Sequence, residues 1–278
     1  MKKQFGQHFL RQVPKEVLFP LDVLEQRQSL QKNTSITIYE IGPGSGVVTQ
    51  AVVQQLLPFS HLSITYEVVD IDLEAIQTTK ELITGMALPK RFKFIYTHKD
   101  VLKHSPTAVD KAEFIYIFGS LPYNISKKIV NAIKHFSIKL SQKSVLLPSR
   151  FIIQKEVAED YVSAPPSAAF LGADLSLFAD YRKITKKLPP GAFFPPPKVE
   201  SAVLEIGWKS LKNTDGDKAL ELAKVIRQGF IAKRKVIGSV FKNRINEKKK
   251  TPTLEHLLHL RAHEVSLAEW ELIFNSLG

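Results

Sequence analysis

One short passage constrains this chain more than any other. A β-branched, apolar run from Ile36 to Ile41 breaks into Gly42-Pro43-Gly44-Ser45-Gly46 and resumes as Val47-Val48-Thr49-Gln50-Ala51-Val52-Val53. The order reads as strand, glycine turn, helix. Similar apolar runs recur at Ser63 to Ile71, Phe92 to Tyr96, Phe114 to Phe118 and Ser144 to Leu147, separated by segments with helical spacing such as Leu73 to Leu82 and Lys127 to Phe136. Alternation of this kind predicts an α/β fold, a parallel sheet with crossover helices.

A proline-rich passage, Leu188 to Pro197, precedes the alternating run Val199 to Ile206, which reads as a late strand that ends the sheet. After the polar stretch Lys209 to Gly216, helical periodicity takes over at Ala219 to Ala232, Leu254 to Leu260 and Leu267 to Phe274. The expected organisation is therefore a sheet domain over residues 1–210 and a small helical domain over 211–278. The helical part holds 13 Lys and Arg against 8 Asp and Glu, with the basic residues concentrated between Lys233 and Lys250.

Composition narrows the function. Lys and Arg outnumber Asp and Glu by 39 to 27, a formal charge of +12, so the summed field attracts polyanions such as nucleic acid or an anionic membrane face. The chain has no cysteine, which excludes disulfides, thiolate metal sites and a cysteine nucleophile. His256 and His259 stand three apart on an amphipathic stretch without an acid cluster to complete a metal site, so no metal is expected. Met1 to His8 starts basic without the apolar stretch of a signal peptide, and no run long enough to span a bilayer follows. The expected setting is cytoplasmic.

The three glycines at alternate positions, Gly42, Gly44 and Gly46, let the backbone turn sharply and leave room for a ligand to approach the main chain, although a bare tight turn would use them equally well. Val47 occupies the position where a nicotinamide dinucleotide motif carries Gly or Ala, which argues against a dehydrogenase. In Val68-Val69-Asp70-Ile71-Asp72, two carboxylates follow the strand, and Asp72 reads as the cap of the next helix. Gly119-Ser120-Leu121-Pro122-Tyr123-Asn124-Ile125-Ser126 follows the strand Phe114 to Phe118, at the edge where open α/β sheets place ligands. A polar residue, a proline-fixed backbone carbonyl and Tyr123 could hold the hydrogens of an exocyclic adenine amine and stack its ring.

Glu40-Ile41-Gly42-Pro43-Gly44-Ser45-Gly46, followed by Asp70, resembles class I methyltransferases. Ser120-Leu121-Pro122-Tyr123-Asn124-Ile125-Ser126 resembles the Asn-Leu-Pro-Tyr-Asn-Ile-Ser run of the KsgA-type ribosomal RNA adenine dimethyltransferase family. Four further stretches fit the same family: Phe5 to Leu10, Gln154 to Glu159, Phe193 with Pro195 to Val203, and Gly229 to Lys235. The resemblance implies a Rossmann-like methyltransferase sheet that binds S-adenosylmethionine. The glycine turn would lie along its methionine part, Asp70 would hydrogen-bond the ribose and Asp100 the adenine amine, with Ile71 and Val101 also binding the cofactor. Gln7, His8 and Leu10 would close over it, and Ser120 would touch both cofactor and substrate.

The resemblance further implies catalysis by Ser120, Leu121, Pro122 and Tyr123, with Phe193 as a second wall for a flipped adenosine; the same Phe193 also fits a core position beside a proline turn. Lys233, Arg234 and Lys235 would contact RNA phosphates. The implied substrate is a pair of adjacent adenosines near the 3′ end of small-subunit ribosomal RNA, dimethylated by a monomer on the immature subunit. Three departures stand out. Ser120 replaces the family's Asn with a shorter hydroxyl that still accepts a hydrogen bond, Gln12 replaces an Asp, and Asp160-Tyr161 replaces Arg-Leu. Two other readings share these features: a methyltransferase of the macrolide-resistance type acting on large-subunit RNA, and a non-enzymatic RNA-binding assembly factor.

Overall fold

In the computed structural model, which describes residues 8–26, 33–107, 109, 111–211, 213–246 and 249–277, the Ile36 run lies at the centre of a mixed sheet. The first strand and α-helix among the described residues are the short β1 (Phe9–Leu10) and α1 (Leu21–Gln26). The chain then alternates through β2 (Thr34–Ile41), α2 (Val47–Leu56), β3 (Leu62–Asp70), α3 (Leu73–Thr84), β4 (Phe92–His98), β5 (Phe114–Ser120) and α4 (Ser126–Leu140). β6 (Val145–Leu146), β7 (Ser149–Gln154), α5 (Lys155–Val162), α6 (Phe170–Leu175), β8 (Ala179–Leu188), β9 (Phe193–Phe194) and β10 (Ser201–Trp208) complete the sheet region. The remainder is helical: α7 (Asn213–Ile231), α8 (Ile237–Val240), α9 (Pro252–Leu258) and α10 (Leu267–Ser276).

The strand order is β4-β3-β2-β5-β7-β10-β8, with β6 beside β5. β2, β3, β4, β5 and β7 run parallel, while β10 is antiparallel to both β7 and β8. The sheet is thus mixed at one edge. β8 reads ADYRKITKKL and shows no apolar alternation, because it is an edge strand whose basic side chains face water and discourage further pairing. The strand expected over Ser144 to Leu147 shrinks to two residues. Pro148 has no amide to donate, and the chain re-enters the sheet at Ser149 as β7.

Period-two alternation divides the strand side chains between two apolar layers. Ile36, Ile38, Tyr116, Phe118 and Val203 join Val52, Val53 and Ile76 of α2 and α3 on one face. Tyr39, Ile41, Ile115, Ile117 and Leu204 join Ile129 and Ile133 of α4 on the other. That second layer continues without a break into Leu222, Ile226, Leu257, Trp270 and Ile273 of the helices beyond residue 211. α7 meets α4 closely at Gly216, where an added Cβ would lie 2.5 Å from the Ile138 side chain.

Candidate active site

The carboxyl ends of β2, β3 and β5, together with the loop after β4, converge on one cavity of about 230 Å³. β2 delivers the glycine turn. Gly42, Gly44 and Gly46 have φ of +70°, +59° and +77°, the left-handed region that a side chain disfavours. A Cβ on Gly42 would come 3.0 Å from the Ser120 carbonyl, and one on Gly44 would come 3.2 Å from the Phe9 ring. Close approach of β5 to β2 depends on Gly119, whose added Cβ would sit 2.1 Å from the Ile41 carbonyl oxygen. These absences of side chain bring Ser120 against the turn.

The cavity is lined by His8, Leu10, Gly42, Gly44, Asp70, Ile71, Asp100, Val101, Ser120, Leu121, Pro122, Tyr123 and Phe193, so all these sequence-predicted positions come together. Gly46 does not line it. Its left-handed backbone starts α2 while an added Cβ would meet Leu82 and Thr79 of α3, so its role is in the turn and the packing behind it. Gln7 lies outside the described residues. Lys233, Arg234 and Lys235 are exposed after α7 and away from this cavity; Lys233 borders a second, open groove between α4, α6 and α7. Of the other basic residues in that region, Arg244 donates to Gln228 Oε1 at 2.8 Å and Lys249 to the Asn275 carbonyl at 2.7 Å.

Two carboxylates in the cavity wall sit where water is scarce. Glu40 is buried and accepts from the Thr49 and Tyr66 hydroxyls, each at 2.7 Å; burial, only partly offset by these bonds, pushes its carboxyl up to about 7. Asp70 accepts the Asp72 amide at 2.8 Å, and burial, reinforced by the Asp72 charge, raises it to about 6. Asp72 itself caps α3 through the Glu74 amide at 3.0 Å, as the sequence predicts. Asp100 caps the short turn after β4 through the Leu102 amide at 2.9 Å. Ile71 is 54% exposed beside them, an apolar surface at the cavity rim.

At the β5 end, the Leu121 amide donates to Ile152 of β7 at 3.0 Å and the Ile125 amide to the Pro122 carbonyl at 3.1 Å, fixing the loop before α4. The Tyr123 hydroxyl pairs with Ser201 Oγ of β10, and burial holds its phenol above the ordinary range. Its ring stacks on His8 with centroids 5.7 Å apart, and His8 Nδ1 lies 2.8 Å from the Pro195 carbonyl. Phe193 borders the cavity but is only 1% exposed, held in the core between β1 and the sheet.

Among the cavity residues to which the sequence reading gave no role, Phe9 lies over Gly44 and Lys99 borders the cavity beside Asp100. The signal for Lys99 was available, since loops at the carboxyl edge of a parallel sheet build such sites. Among the described residues, no group of three His, Asp or Glu side chains is placed to hold a metal, and no helix is long and apolar enough to cross a membrane.

The chain matches the family described as ribosomal RNA adenine dimethylase over residues 1–278. The ribosomal RNA small subunit methyltransferase A of Francisella tularensis subsp. novicida is 30% identical to it over 285 residues, covering 100% of this chain and 97% of the relative. Among solved structures, a dimethyladenosine transferase from Plasmodium falciparum superposes with a TM-score of 0.63 at 21% identity, over 92% of this chain and 95% of that one. The 23S rRNA methyltransferase ErmE superposes with a TM-score of 0.60 at 16% identity, over 97% and 99%. At these identities the two structures establish a shared fold.

Proposed function

Because the chain belongs to the ribosomal RNA adenine dimethylase family, whose members are S-adenosylmethionine-dependent enzymes acting on rRNA, we propose a specific substrate for it. It dimethylates the exocyclic amines of two adjacent adenosines in the hairpin near the 3′ end of small-subunit ribosomal RNA, during subunit assembly. The observation that carries this reading is the convergence of the glycine turn, Asp70 and the Ser120-Leu121-Pro122-Tyr123 loop on one cavity.

The cavity fits the cofactor. Gly42 and Gly44 keep one wall free of side chains, Asp70 and Asp100 offer carboxylate acceptors, and Ile71 offers an apolar face. Asp70 and Ile71 would hold the ribose, Asp100 and Val101 the adenine, and Gln7, His8 and Leu10 would cover the site. When bound, S-adenosylmethionine supplies a methyl group already activated by a positively charged sulfur, so the chain needs no strong base. Its contribution is positioning and electrostatics.

Ser120 Oγ and the Leu121 carbonyl accept the amine hydrogens and aim the nitrogen lone pair. Pro122 fixes the backbone that presents them. Tyr123 gives the adenine a stacking face, which requires His8 to yield part of its contact with that ring. Phe193 closes the wall behind. Ionised Asp70 places negative potential on the side where a cation binds. Lys233, Arg234 and Lys235 contact phosphates and set the register of the RNA without reading bases, so the segment 211–278 serves as the RNA-binding domain. We assign the enzyme to the cytoplasm, acting as a monomer and without a metal.

The test is which purified particle accepts labelled methyl, immature small subunits or large subunits stripped of their modification. The proposal predicts label on small-subunit RNA, at adjacent adenosines. Label confined to large-subunit RNA would favour the macrolide-resistance type, and tight RNA binding without transfer would favour an assembly factor.

A further inference from the structure

The two-residue strands β1 and β9 present one large side chain that neither core nor cavity absorbs. In antiparallel register Leu10 stands opposite Phe193 and Phe9 opposite Phe194. Alternation sends Leu10 and Phe193 into the core, while Phe9 rests over Gly44 in the cavity wall. Phe194 is left 51% exposed.

A lone exposed apolar residue is ordinary on a protein surface, but this one is placed and prepared. The Arg11 guanidinium lies 5.4 Å from its ring centroid. That arginine is itself held by Nε to the Phe193 carbonyl at 3.3 Å and by its amide to the Ala192 carbonyl at 2.9 Å. Phe194 also sits between two residues tied to the site: Phe193 borders the cavity, and the Pro195 carbonyl lies against His8, which stacks on Tyr123. An aromatic face with a cation beside it, at the mouth of a site that takes in one base, matches the chemistry of a nucleobase and its phosphate.

We propose that Phe194, with Arg11 against its ring, is the stacking surface for the nucleobase adjoining the adenosine that enters the cavity. The inference rests on the RNA reading above. Drawing one base out of a stack leaves its neighbour with an uncovered face, at a cost in unstacking free energy. Phe194 covers that face without demanding a particular base, and Arg11 is in reach of the neighbouring phosphate. Phe194 is therefore a positioning residue, acting on the placement of the RNA and not on the transferred methyl.

The experiment uses the full chain and a hairpin RNA carrying 2-aminopurine at the nucleotide on either side of the target adenosine. Its fluorescence reports stacking on binding alone, independent of turnover. Wild type should quench one of the two probes. Phe194→Ala should abolish that quenching and raise KM for RNA about tenfold, with kcat, cofactor binding and thermal midpoint unchanged. Phe194→Trp should restore both signals, whereas Phe194→Leu, which keeps apolar bulk without a π face, should behave as the alanine variant. Absence of quenching at both probe positions in wild type, or a leucine variant as good as phenylalanine in KM, would overturn the inference. Failure of wild type to methylate any ribosomal RNA would instead remove the functional reading, and the probe would still report whether Phe194 stacks a base.

Discussion

Asp70 has to be ionised to serve as a strong acceptor for ribose hydroxyls, yet burial favours its neutral form and raises its carboxyl from 3.8 to about 6. Two consequences follow for pH. In the free protein the group favours the fold fully below its unfolded pKa, and that contribution is lost as pH rises through about 6. Cofactor binding has the opposite sign, because hydroxyl donors favour the ionised carboxylate. Calorimetric titration with S-adenosylmethionine should show affinity steady above pH 7 and weakening as pH falls through about 6. Asp70→Asn should bind weakly at every pH without that slope, and an equally steep slope in the variant would assign the titration elsewhere. Asp70 was named in the sequence by its match to the methyltransferase family's position, as were the glycines and the Ser120 to Tyr123 loop, and the structure brings Asp70, Gly42, Gly44 and that loop to one cavity. The places of Phe9 over Gly44 and of Phe194 at the surface were not legible, since strands of two residues carry no periodicity to detect. The burial of Glu40 in particular depends on Tyr66, a partner 26 residues away that no local pattern reveals.

Among the elements, the junction of β2 and β5 is the one on which the site depends most. The two strands run in parallel register from Ile36 opposite Phe114 to Ile41 opposite Gly119. Only hydrogen at Gly119 lets them close, since an added Cβ would stand 2.1 Å from the Ile41 carbonyl oxygen. Gly119→Ala should therefore part the strand ends and cost roughly 3 kcal/mol or more of stability, measured by urea unfolding. A variant that unfolds at the wild-type midpoint would contradict this packing. The parallel strands and crossover helices were readable because each buried strand forms a continuous apolar run. The antiparallel edge was not: β8 hides its strand character under lysines and arginines, and β7 starts after a proline that interrupts the apolar run.

For the whole molecule, charge and core point in different directions. The apolar layer on one face of the sheet runs on into the C-terminal helices, while Lys233, Arg234 and Lys235 remain exposed beyond α7. Replacing these three with alanine should leave cofactor binding intact and weaken RNA binding across all sequences. The slope of log affinity against log salt should fall by roughly 1 for each phosphate no longer neutralised. Unchanged salt dependence would place the RNA on another face. The change from strands to helices near residue 211 was visible as a change of periodicity, but the continuity of the core across it was not, because packing between distant segments leaves no local trace. The central claim, that the cavity built by the glycine turn, Asp70 and the Tyr123 loop methylates small-subunit RNA, is tested most directly by transfer of labelled methyl from S-adenosylmethionine. The acceptors are small subunits lacking the modification, and the proteins compared are wild type, Asp70→Ala and Tyr123→Ala. Transfer to adjacent adenosines by wild type, abolished or nearly so in both variants while their folds persist, is the result predicted. No transfer by wild type despite tight RNA binding, or full transfer by either variant, would contradict it.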